Sequence, residues 1–155
     1  MILASLELSG GLQNLESDFR HAVETKFNEL GEMLYQKVIE NLSGKVLQQK
    51  SGQLAGSIRK EVDTGSDTLI AIVGPEPQSP KAWALEKGGS KNYAIFPIRA
   101  NALHFYWDKV GREVWLPYVD HPPSKEFGYL AKALAEMYEI APEEMAEAIN
   151  RALSS

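Results

Sequence analysis

The chain contains no cysteine, which excludes disulfides, thiolate metal sites and a cysteine nucleophile, so the fold must rest on packing alone. Histidine is scarce as well. His21, His104 and His121 are the only three, and no His-x-x-x-His spacing of the kind that sets two ligands on one helical face is present. Basic charge is in deficit: 16 Lys and Arg stand against 21 Asp and Glu, a net charge of −5. A protein that grips DNA draws its affinity from neutralising phosphates with a basic face. This balance argues against tight nucleic-acid binding and is compatible with DNA passing nearby. No apolar run approaches the roughly 20 residues that span a bilayer. The opening Met1–Leu8 has no basic region and carries Glu7, so the expectation is no signal peptide, no membrane segment, and a protein made and assembled in a cytoplasm.

What is present is a globular composition. At 155 residues and 44% apolar content, the chain is long enough for one domain, 1–155, with a real core. Met1–Leu8 reads as a short strand ended by Ser9-Gly10-Gly11. Leu12, Leu15, Phe19, Val23, Phe27, Leu30, Leu34, Val38 and Leu42 then recur in steps of three or four, which predicts one long amphipathic helix. Gly44 supplies its stop. At 1.5 Å per residue such a helix runs about 45 Å, so it spans the domain, bends near Gly31 or projects toward a neighbour.

Ser57–Val62 and Thr68–Gly74 read as two strands joined by the loop Asp63–Asp67, and Pro75–Pro80 as a rigid connector. Lys81–Lys87 is one or two helical turns. Tyr93–Phe96, Ala102–Trp107 and Arg112–Val119 are further strands, the last two joined by a turn at Asp108–Gly111. Ser124 is the expected N-cap of a helix carrying Phe127, Leu130, Leu134 and Met137, and Pro142 starts a last helix carrying Met145, Ile149 and Leu153. The expected class is α+β, a mostly antiparallel sheet of four to five strands with a long N-terminal helix and two C-terminal helices packed on it.

Little in the chain points to chemistry. Gly88-Gly89-Ser90-Lys91 has the wrong order for a phosphate loop and precedes a strand, so it reads as a turn. No Gly-x-Ser-x-Gly elbow surrounds any serine, and Ser57 falls where a cap is needed. Ser57, His104 and an Asp make a triad only on paper, and Asp120 and His121, taken with Glu86, suggest a metal site or a general base but fall just before Pro122-Pro123, where a structural or interface role fits better. His104–Trp107 and Val114–Leu116 face each other across a turn, as cross-strand aromatic pairs that pack in a core or an interface. Trp83 serves either the core or a neighbouring subunit. Cofactors and metals are not expected.

Three segments recur in a fixed order: Ser51-Gly52-Gln53-Leu54-Ala55-Gly56-Ser57-Ile58, then Trp83-Ala84-Leu85-Glu86-Lys87-Gly88, then Ile95-Phe96-Pro97, Ala102-Leu103-His104-Phe105 and Val119-Asp120-His121-Pro122-Pro123. Together they resemble the minor tail component family of tailed double-stranded DNA bacteriophages, whose members act in tail completion and head–tail joining. The resemblance covers about residues 10–138, with Trp for the family's Tyr at Trp83 and Pro123 where the family has Gly; 139–155 reads as a helical extension. It implies a non-enzymatic structural protein of the virion neck, a ring subunit of six copies that contacts the tail tube or tail terminator protein and the head connector or stopper protein. The interface candidates on this reading are Lys50, Gln53, Leu54, Trp83, Glu86, Arg99 and His121. The rivals are a tail terminator capping the tube, an assembly chaperone absent from the virion, and a small hydrolase using Glu86 and His121.

Overall fold

A computed structural model of the chain describes residues 3–9, 17–45, 52–65, 67–76, 79–89 and 91–154. The fold is α+β. Strand β1 (Ala4–Ser9) is followed by helix α1 (Ser17–Glu40), whose apolar stripe is the one read from the sequence: Val23, Phe27, Leu30, Leu34 and Val38 are buried on one side. The predicted start at Leu12 and Leu15 lies outside the described residues. A wide turn, Asn41–Lys45, ends the helix, and Gly44 takes the positive φ of +129° that makes the exit possible.

The short helix α2 (Gln53–Gly56) leads into a hairpin of β2 (Ile58–Asp63) and β3 (Thr68–Pro75). Ser57 closes α2 as expected of a cap, its Oγ donating to the Leu54 carbonyl at 2.7 Å. The three strands form an antiparallel sheet in the order β1-β3-β2. Alternation then sorts the side chains. Ala4, Leu6, Ile58, Leu69, Ala71 and Val73 are buried on the face covered by α1 and by the C-terminal helix α4 (Tyr129–Leu153). α1 runs unbroken through Gly31, which is buried because a Cβ there would sit 2.8 Å from Val62 Cγ2. The missing side chain lets the helix lie close on the sheet.

α4 packs along α1, and ion pairs lace the two together: Lys26 with Glu144 at 2.7 Å, and Lys37 and Lys45 both with Glu136 at 2.8 Å. The bond from Lys37, then that from Lys45, holds the Glu136 carboxyl below its ordinary value of 4.5, and Lys26 does the same to Glu144. A carboxyl lowered in the folded state contributes stability above its unfolded pKa and loses it as the pH falls through the folded value. The melting temperature should therefore drop as pH is lowered below about 4.5, with a shallower acid limb in Glu136→Gln. Equal acid limbs in the two proteins would remove this pairing as a source of stability. Lys26 and Lys45 are raised by Glu144 and Glu136, so their share is lost only on the far alkaline side.

Two features depart from the sequence reading. The strands do not form one sheet of four to five. Beside the three-stranded sheet stand two separate pairs, β4 (Tyr93–Ile95) with β7 (Val119–His121) and β5 (Leu103–Trp107) with β6 (Arg112–Leu116). Nor are there two C-terminal helices. α4 is continuous for 25 residues with Pro142 inside it. Proline forfeits one bond to the preceding turn, and Tyr138 and Pro142 are both exposed, where water can take the freed carbonyl.

Candidate assembly surface

The start of α4 gives the segment Trp83–Gly88 a structural role. Ser124 is not its cap; the helix begins five residues later, after Gly128 in a left-handed conformation, and no side chain of its own caps it. The cap comes from helix α3 (Pro80–Lys87). Glu86 is 2% exposed, and its carboxylate accepts from the Leu130 N–H at 2.9 Å and the Ala131 N–H at 3.0 Å. Negative charge at a helix N-terminus is favoured by the dipole and by the unpaired donors there. The reverse contact also exists. The Phe127 and Gly128 N–H groups donate to the Leu85 and Glu86 carbonyls at the end of α3, and Gly89 N–H donates to the Ser124 carbonyl. Gly88, at φ +75°, allows this approach, since a Cβ there would lie 3.0 Å from the Ser124 carbonyl oxygen.

Glu86 is therefore a helix-locking residue and is withdrawn as an interface or acid–base candidate: both its oxygens are held inside the fold. Beside it, burial pushes the Tyr129 phenol above its ordinary value, and the Glu86 charge adds to the effect. The Asn41 side-chain amide fixes the same turn by donating to the Tyr129 carbonyl at 2.9 Å.

Between α3 and α4 the chain leaves the core and forms an arm, 93–121. The outer pair sets Tyr93 against His121 and Ile95 against Val119. The inner hairpin sets His104 against Trp115 and Phe105 against Val114, closing at Gly111, φ +69°, where the Val110 and Gly111 N–H groups donate to the Trp107 carbonyl. The cross-strand pairing expected of His104 is present. Its ring stacks on Trp115 at 4.3 Å and its Nε2 lies 3.0 Å from Glu113. Tyr93 stacks on His121, and Phe96 meets Tyr118.

These contacts are not core contacts. Of the thirteen large apolar side chains that stand exposed among the described residues, nine lie in this arm, including Ile98 at 96% and Phe96 and Trp115 at 63%. The arm strands pack mainly on one another rather than on the helices. A two-stranded ribbon alone is marginally stable in water, and apolar surface concentrated in this way marks an interaction site. Charge separates the arm from the body too. The arm, 93–121, carries three Lys and Arg against three Asp and Glu and is neutral, while the rest of the chain carries thirteen against eighteen.

The other sequence candidates fall at several places. Lys50 lies outside the described residues. Gln53 is exposed on α2, while Leu54 beside it is half-buried against the core. Trp83 is exposed on α3, which favours the contact alternative over the core. Arg99 and His121 are both exposed and both lie in the arm, Arg99 after β4 and His121 at the end of β7. His121 Nδ1 lies 2.7 Å from its neighbour's carbonyl, that of Pro122. The sequence reading singled out Tyr106 within His104–Trp107 but not Tyr93, Ile98 or Tyr118. The available signal was that apolar residues occupy both faces of the arm strands while the chain has too few helices to cover both. Among the described residues no cluster of His, Asp or Glu is placed to hold a metal ion, and no helix is long and apolar enough to cross a membrane. No protein-family model, curated protein or solved structure matches the chain.

Proposed function

We propose that this chain is a non-enzymatic assembly subunit, and specifically a tail-completion protein at the neck of a tailed phage, where identical copies form a ring between the tail and the head connector. The observation that carries the reading is the aromatic arm: a two-helix, three-stranded body holds out a ribbon on which nine large apolar side chains stand exposed among the described residues. Burying one such side chain fully is worth about 1.5–3 kcal/mol, so a partner that covers several gains a substantial part of an interface. The ordered segments Ser51–Ile58, Trp83–Gly88 and Ile95–Pro123 support the phage assignment through their resemblance. The acidic balance supports a channel through which DNA slides without adhering.

The test is genetic. In a phage lacking this chain, filled heads and finished tails should accumulate unjoined, and adding the purified protein to the mixture should join them. Normal joined particles made without the chain would contradict the proposal.

A further inference from the structure

We infer that the groove between the outer edge of β1 and helix α4 receives the Phe96–Arg99 segment of a second copy of this chain. The inference rests on the assembly reading above, and names the partner surface that the arm requires. The groove is a cavity of about 550 Å³ lined by Leu6, Phe27, Leu30, Ala141, Met145 and Ile149 among others. It opens beside an edge strand, because β1 pairs with β3 on one side and, among the described residues, with no strand on the other. An uncovered edge is a template for an added extended segment.

Charge selects the occupant. Glu7 lines the groove, and Glu139 and Glu143 are exposed on the same stretch of α4. None of the three is engaged in an ion pair among the described residues, and neither is Arg99. The Phe96–Arg99 segment follows β4, is apolar up to the arginine that ends it and bends at Ile98, whose side chain is almost entirely exposed at 96%. Seating this segment in the groove brings Arg99 to the side of the molecule that holds Glu7. Pairing the segment with its own copy would set two Arg99 side chains together. The donor and acceptor surfaces differ, so the contact is head-to-tail and propagates, closing into a ring where the rotation permits.

The absence of native cysteine makes the test direct. Ile98 and Ala146 are both exposed, and Ala146 lines the groove. The double variant Ile98→Cys/Ala146→Cys, oxidised at a series of concentrations, is expected to give a ladder of disulfide-linked oligomers on a non-reducing gel, because Cβ atoms must come within about 4 Å to bridge. Each single variant should give no more than dimers, and adding Arg99→Glu should weaken the ladder severalfold at low salt. No species beyond the dimer, a disulfide closed within one chain, or a dimer formed as readily by Ile98→Cys alone would each overturn the pairing. The assembly role is judged separately: the chain in joined particles without the ladder sinks only the pairing, and a ladder from a chain that particles do not need sinks only the neck assignment.

Discussion

Leu34→Asp is expected to leave no folded protein at room temperature. Leu34 is fully buried in the middle of α1, within the cluster that joins both long helices to the sheet. An aspartate there either buries an unpaired carboxylate or takes up a proton, and both cost several kcal/mol. The whole stability of a domain this size is only about 5–15 kcal/mol. Phe19→Asp is the internal control. Phe19 packs only partly against the core near the start of α1, and its replacement should cost about 1–3 kcal/mol and leave a folded chain. Urea unfolding followed by circular dichroism reads both. A Leu34→Asp protein that melts with the wild type would show that the helix presents a different face to the sheet.

Glu86→Ala is the second large effect, expected at about 2–4 kcal/mol, since it leaves the buried Leu130 N–H and the part-buried Ala131 N–H at the start of α4 without their acceptor and removes the charge that faces the helix dipole. Glu86→Gln keeps one acceptor and should lose roughly half as much. Hydrogen exchange gives the specific signature, with the Leu130 and Ala131 amides losing protection first. If Glu86 served catalysis or a subunit contact, the opposite pattern would follow: activity or assembly lost, with stability and amide protection unchanged.

The parts of this fold that were legible in the sequence are those specified locally. The stripe from Val23 to Val38 repeats with the helical period, and the loop at 63–67 joins two strands that are neighbours along the chain. The His104–Trp115 pair could be read because the turn between them fixes the register. The illegible parts depend on distant partners. Glu86 caps a helix that begins 43 residues later, so nothing near it in sequence signals burial, and the same distance moved the start of α4 from Ser124 to Tyr129. Pro142 looks like a helix start because proline is favoured there, yet the helix continues through it. The arm misled in another way. The sequence allowed Tyr106, Trp107 and Trp115 either a core or an interface, and only the packing shows them exposed, with no element covering them among the described residues. That exposure is also what supports the proposed assembly role of the arm.

The central claim is that the arm is a buried interface in an assembled particle. Hydroxyl-radical footprinting of purified phage particles beside the free chain, read by mass spectrometry at Tyr93, Tyr106 and Trp115, tests it most directly. The account predicts that the chain is present in the particles and that these rings react several times more slowly there than in the free protein. Absence from the particles, or rings as reactive in them as in solution, would contradict it.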